Sequence, residues 1–326
     1  MFAVLGRTAN HPVTEVAILA DKNPDKQDFL AIDEWTYPEL RTILDLAKAQ
    51  KPLARAHKLP HTLPNRVLAC VFAKPSLRTR VSFEVAMRQL GGQSMFITDK
   101  EIGMGVRESV HDVAKVMSRL CDGIMIRWFD DNEVRELARH ATVPVINGLT
   151  DLTHPCQVMA DILTVEEHLG TIEGKTVVMV GDGNNLANSW LNASIRFPFN
   201  FILACPEGYE PDAGIMDKAE NAGASFMITH DPQEAVEGAH VIYGDAFYSM
   251  GQEDEAAKRR RDFAPFQINA RLLEAAHPEH IVLHCLPAHR GEEITDEVMD
   301  GPHAVVFDEA ENRLHAQRAI LATLIR

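Results

Sequence analysis

Arginines and hydroxyls crowd into one five-residue stretch, Ser76-Leu77-Arg78-Thr79-Arg80. The run before it, Val67–Phe72, is short, apolar and β-rich and ends at Lys74-Pro75, which predicts a buried strand. After it, Val81, Val85 and Leu90 recur at helical spacing until Gly91-Gly92. Ser76 is then an N-cap, and the free backbone N–H groups of a first helical turn lie beside guanidinium groups and a threonine hydroxyl. That combination suits an anion, and phosphate above all, because helix-terminus donors and planar guanidinium forks both engage oxygens. A capped helix with solvated arginines would leave the same local pattern.

Other residues able to do chemistry stand where apolar runs end. Arg127 closes an apolar run over 123–128, and Arg313 follows a further run, 304–307, in the phrase FDEAENR. Either could add a fork for phosphate or lie on the surface. In His154-Pro155-Cys156-Gln157, Pro155 suits the first helical position and places His154 at the N-cap. The positive helix end disfavours an imidazolium there, so a neutral histidine could donate to a carbonyl oxygen, or simply cap. Gly181-Asp182-Gly183-Asn184-Asn185-Leu186 partly matches a dinucleotide fingerprint, with Glu207 after the next strand as a ribose-binding acid. Leu186 replaces the third glycine, which argues against that use and leaves Asn184 and Asn185 as amides for a polar ligand. Asp245 opens the acidic stretch 245–255 and could hold an ammonium, with the bases 258–261 as counterweight. In His284-Cys285-Leu286-Pro287 the thiol reads either as a nucleophile or as a small buried hydrophobe.

The elements that must position these residues alternate. An apolar-periodic segment from Phe29 through Leu40, Ile43, Leu44 and Leu46 predicts a helix, and 57–65 a loop. Strands follow over 94–98, 123–128 and 144–146, with helices over 110–120 and 133–140, and a long helix over 154–169. A second series predicts strands over 177–181, 201–205, 226–228, 240–244, 280–285 and 304–307, with helices near 186–197, 216–222, 233–236 and 270–276. Alternation of this kind implies βαβ units and parallel sheets. The fold class is therefore α/β, with two doubly wound parallel-sheet domains joined by the long helix. Their cleft is the expected ligand site.

With 326 residues the chain is long enough for two cores. A formal charge of −15 argues against a general nucleic-acid or anionic-membrane surface, so any anion pocket is a local basic site in an acidic protein. The cysteines Cys70, Cys121, Cys156, Cys205 and Cys285 are scattered and odd in number, which predicts reduced thiols without a disulfide framework or zinc site. No apolar run approaches the roughly 20 residues of a membrane helix. The first residues lack the pattern of a signal or transit peptide, so the expected compartment is the cytoplasm.

Taken in order, SLRTR, HPCQ, GDGNN, DAFYSMGQE, HCLP and FDEAENR resemble the aspartate/ornithine carbamoyltransferase family from about Phe29 to Ile325. The resemblance implies an extension at 1–27, a carbamoyl-phosphate domain at 28–152 that a C-terminal helix at 312–326 rejoins, and an amino-acid domain at 153–311. It implies transfer of the carbamoyl group of carbamoyl phosphate to the δ-amine of L-ornithine, giving citrulline and phosphate, by a homotrimer or multiple of trimers without metal or organic cofactor. Carried over by position, Ser76, Leu77, Arg78 and Thr79 hold the phosphate; Arg127, His154 and Gln157 meet the carbamoyl end; and Arg313 closes the pocket. Asn185, Asp245, Ser249 and Met250 bind ornithine, with Cys285 and Leu286 between the substrates and the cysteine orienting, not attacking. The implied catalytic set is Arg78, Arg127, His154, Asp245 and Cys285. Many members have threonine where this chain has Leu77. Gly103 stands where relatives carry a glutamine or histidine that reaches a neighbouring subunit's carbamoyl phosphate. An N-acylated ornithine or putrescine remains open as acceptor, and an NAD-dependent dehydrogenase would also account for Gly181, Gly183 and Glu207.

Overall fold

A computed structural model of the chain describes residues 26–248 and 255–325. Most of the expected N-terminal extension lies outside the described residues.

The first unit runs α1 (Tyr37–Arg55), β1 (Val67–Phe72), α2 (Leu77–Gln89), β2 (Gln93–Thr98), α3 (Asp99–Ile102), α4 (Val110–Leu120), β3 (Gly123–Arg127), α5 (Asp131–His140) and β4 (Val145–Leu149). Then α6 (Pro155–Leu169) crosses over. The second unit runs β5 (Thr176–Val180), α7 (Asn185–Ser194), β6 (Asn200–Ala204), α8 (Ala213–Asn221), β7 (Phe226–Thr229), α9 (Pro232–Ala235) and β8 (Val241–Gly244). It continues through α10 (Ala256–Asp262), α11 (Ala270–Leu273), β9 (Ile281–His284) and α12 (Asp296–Met299) to α13 (Val306–Leu324). Both sheets are parallel throughout, ordered β2-β1-β3-β4 and β7-β6-β5-β8-β9. The central strands are largely apolar because helices cover both faces.

Two expected elements differ. The helix expected from Phe29 starts at Tyr37, where Thr36 and Glu39 form a capping box and Pro38 sits in the first turn. Phe29 is extended: its N–H donates to Val145 O and its carbonyl accepts from Asn147 N–H, both at 2.9 Å. The strand expected over 304–307 is confined to a bridge between Ala304 and Val282. Helix takes over at Val306, with Asp308 and Glu309 in a first turn that favours acids. The C-terminal helix therefore begins at Val306, ahead of the expected 312, and packs on α6, α2 and α1.

Helix α6 is buried on every side from Pro155 to Glu166, so its polar residues are buried too. Glu166 is neutralised by Arg41 at 2.6 Å and Lys48 at 2.7 Å, both from α1. This helix is a partition between the two sheets.

Candidate functional site

In a parallel sheet, a crevice opens at the strands' C-terminal ends where the winding order reverses. In the first sheet that point lies between β1 and β3, whose chains lead into Ser76 and out of Arg127. In the second it lies between β5 and β8, which lead into Asn184 and Asp245. Expected site residues fall at both crevices, Ser76 and Arg127 at the first and Asn185 and Asp245 at the second. The two edges are tied together, since Asn185 Nδ2 donates to Thr150 O at 2.7 Å and His154 N–H to Ser189 Oγ at 2.7 Å.

On the first side, Ser76 caps α2 by accepting Thr79 N–H at 3.3 Å. The Leu77 side chain points outward, 74% exposed, so this position contributes its backbone only. Thr79 is buried, and its Oγ1 accepts from Arg313 Nη2 at 2.8 Å. That bond brings Arg313, on α13, to the head of α2. Arg127 is buried among cations: burial first, then Arg313 and Arg78, lower it to about 10, with no carboxylate beside it. Arg313 is likewise lowered, by burial above all. His154 stands against the same arginines, and burial, then Arg313 and Arg127, hold it well below the usual imidazole range. It is neutral, as its N-cap position predicts. Four buried polar atoms here have no partner among the described residues: Arg127 Nε, Arg313 Nε, His154 Nδ1 and Gln157 Oε1. Unpaired guanidinium groups and orphaned polar atoms in one pocket are costly unless an anion with polar substituents completes them.

On the second side, the Asp245 carboxylate accepts from Asn184 Nδ2 at 2.7 Å, its own Ala246 N–H at 2.8 Å and Cys285 Sγ at 3.0 Å. None of these donors is cationic, so its charge is free for an ammonium. Burial, then Asp245, push the Cys285 thiol well above its ordinary range. It is a protonated donor, a poor nucleophile. The turn after β9 is pinned by Leu286 N–H to His284 Nδ1 at 2.9 Å, with His284 Nε2–H to Glu293 at 3.2 Å.

Several expected roles change. Asn184 is not free for a ligand, because its Oδ1 caps α7 through Leu186 N–H at 2.9 Å while its amide serves Asp245. Gly183 is required by the chain itself: a Cβ there would lie 2.4 Å from the Tyr209 and Glu210 backbone. The segment before α8 thus fills the space a dinucleotide's pyrophosphate would need, against the dehydrogenase alternative. Among the described residues, the bases of α10 meet the acidic stretch at Glu255, while Arg259 also bonds Asp182 at 2.8 Å and Arg260 pairs with Glu292 at 3.0 Å. Ser249 and Met250 lie outside the described residues. Gly103 ends α3 in the left-handed region, φ 61°, with Arg107 over it. Sequence reasoning passed over Asp161 and Glu309, both fully buried under the pocket, although an acid in the apolar run of α6 was the available signal. A groove of about 920 Å³ lined by Lys48, Lys51, Arg55 and His168 lies elsewhere, and its bases are already paired with Glu166, Glu167, Glu311 and Asp308.

Known proteins match this chain along most of its length. Residues 27–167 match the family model for the carbamoyl-P binding domain of aspartate/ornithine carbamoyltransferase, and residues 173–324 that for its Asp/Orn binding domain. The ornithine carbamoyltransferase of Syntrophotalea carbinolica is 52% identical over 300 residues, covering 92% of this chain and 99% of that protein. That of Brucella ovis is 54% identical over 293 residues, 89% and 94% of the two chains. Among solved structures, ornithine carbamoyltransferase from Pyrococcus furiosus superposes with a TM-score of 0.89 at 48% identity, covering 92% of this chain and 97% of its own.

Proposed function

The chain belongs to the aspartate/ornithine carbamoyltransferase family, and from that premise we propose that it transfers the carbamoyl group of carbamoyl phosphate to the δ-amine of L-ornithine, releasing L-citrulline and phosphate. The observation that carries this reading is the opposition across one cleft of Arg78, Arg127, Arg313 and neutral His154 to Asp245, a carboxylate with no cationic partner among the described residues. A phosphate ester suits the first wall and a diamine's ammonium suits the second.

In this reading the backbone of 76–79, with Arg78 and Thr79, holds the phosphate. Arg127 and His154 donate to the carbamoyl oxygen, Gln157 accepts from the carbamoyl nitrogen, and Arg313 closes the pocket. Asn185, Asp245, Ser249 and Met250 hold ornithine, with Cys285 and Leu286 between the substrates. The neutral δ-amine attacks the carbamoyl carbon. As the C–N bond forms, the bond from the carbamoyl carbon to the phosphate oxygen breaks, and phosphate leaves with the electron pair and takes up the proton that the amine loses. Preorganised donors facing the developing oxyanion and the leaving phosphate are the main source of acceleration. Holding both substrates in line supplies the rest, an effect worth roughly 7–11 kcal/mol in good cases.

The reading includes a homotrimer, or a multiple of trimers, working in the cytoplasm. Edge strand β2 supports assembly, since Met95 and Phe96 expose apolar surface beside unpaired backbone. No helix among the described residues is long and apolar enough to cross a membrane.

Colorimetric detection of citrulline, with putrescine, N-acetylornithine and aspartate assayed in parallel, tests the activity. Turnover with ornithine alone, abolished by Arg78→Ala, is the expected result. Turnover only with another amine would overturn the acceptor, and none with any amine would overturn the transfer.

A further inference from the structure

Asp161 lies on α6 one turn beyond Gln157, and Glu309 lies in the first turn of α13; both are fully buried. Neither forms an ion pair among the described residues. Gln157 Nε2 gives one hydrogen to each, at 2.8 Å to Asp161 Oδ1 and 3.0 Å to Glu309 Oε1. Tyr243, from β8, donates its hydroxyl to Glu309 Oε1 at 2.9 Å, and the His284 N–H at the end of β9 donates to Glu309 Oε2 at 2.7 Å. Glu309 thus has donors at both oxygens. Asp161 has one at Oδ1 only, and its Oδ2 is buried without a partner.

The two carboxyl groups bond the same Gln157 amide nitrogen, which sets them beside each other in the interior. Two ionised carboxylates in contact in a dry interior are prohibitively costly, so one of them stays neutral. The donor count says which. A proton on Asp161 converts an orphaned acceptor into a donor, whereas a proton on Glu309 would displace a donor already in place. Burial raises both acids.

We propose that Asp161 and Glu309 share one proton, carried by Asp161, and that this pair is a positioning unit beneath the anion pocket. It holds the Gln157 amide nitrogen inward, leaving Oε1 as the acceptor presented to the carbamoyl –NH2. Through the His284 N–H it also anchors the strand end that carries Cys285. This proposal rests on the carbamoyl-transfer reading for the role of Gln157, but the shared proton does not.

Isosteric variants separate positioning from space filling. In Asp161→Asn the side-chain oxygen accepts from Gln157 and the –NH2 donates to Glu309, reproducing the neutral acid. Asp161→Leu keeps similar volume and can do neither. Glu309→Gln offers one acceptor oxygen where Tyr243, Gln157 and His284 converge as donors. Infrared spectra at neutral pH are expected to show the carbonyl stretch of a protonated buried acid in the wild type and to lose it in Asp161→Asn. Asp161→Asn should keep kcat/KM for carbamoyl phosphate within roughly three-fold, while Asp161→Leu and Glu309→Gln, confirmed as folded by circular dichroism, should lose roughly ten- to hundred-fold. Absence of the band in the wild type overturns the proposal. So does equal activity of Asp161→Leu and Asp161→Asn, or a Glu309→Gln enzyme as active as the wild type. If the wild type itself turns over no substrate, the transfer reading fails, and the infrared band alone decides the shared proton.

Discussion

A guanidinium serves an anion only while no carboxylate neutralises it, and that condition sets Arg127 and Arg313 apart from the many arginines paired with acids. Arg41, Arg135 and Arg290, for instance, are each tied to acids. The pH dependence of the reaction follows from the same groups. The attacking amine, with a pKa of about 10.4 like that of lysine, is neutral in about one molecule in 10³ at pH 7, so turnover should climb as pH rises from neutral. His154 is already neutral there and contributes no limb near the ordinary imidazole pKa. Arg127, lowered to about 10, is charged at neutral pH and discharges as pH passes that value. In steady-state kinetics kcat/KM for carbamoyl phosphate, which reports the free enzyme, should therefore fall as pH approaches about 10. A profile flat through that point would remove Arg127 from the set. Cys285→Ser should cost less than about ten-fold in kcat, because the high-pKa thiol donates without attacking; complete inactivation of a folded variant would make it the nucleophile.

Short elements owe their ends to single residues here. The β1–α2 connection was legible from sequence because strand, N-cap and helix signals are all local. The ends of α1 and α13 were not, because partners distant in sequence decide them: Val145 and Asn147 hold Phe29 extended, and Val282 takes only one bridge from the apolar run at 304–307. At Gly103 the local backbone overrides family expectation. Its left-handed φ and the Arg107 side chain, 2.7 Å from where a Cβ would be, both favour glycine. Gly103→Gln should therefore destabilise the protein by about 1–2 kcal/mol in urea unfolding. An unchanged midpoint would show that α3 can re-form its end around a side chain.

At the scale of the molecule, α6 and α13 join two sheets into one body, and charges and imidazoles are enclosed in the process. Burial is the leading cause holding His240 and His280 below the ordinary value, helped by Lys175 and His277 for the first and by His303 and His277 for the second. His315, on α13, is brought to about 4 by burial and then by Arg318 and Lys51, against the pull of Glu311. Each binds its proton more readily when unfolded. Stability is thus fully present above the unfolded pKa of about 6.5 and is lost as pH falls below it. The melting temperature should drop between about pH 7 and pH 5, and His315→Asn should flatten that drop. A melting curve indifferent to pH in this window would mean that these imidazoles titrate normally in the folded state.

By itself the sequence determined the alternation of strands and helices, the caps at Ser76 and His154, and the residue types able to hold a phosphate and an ammonium. Periodicity, capping and motif spacing are local, and each can be read within one or two turns of chain. Only the tertiary structure decided that Arg313, from the far end of the chain, meets Thr79, and that Asn184 serves Asp245 and not a ligand. It also set Asp161 and Glu309 against each other under Gln157, where desolvation forces them to share a proton. Those outcomes depend on which groups packing brings together and how completely it excludes water.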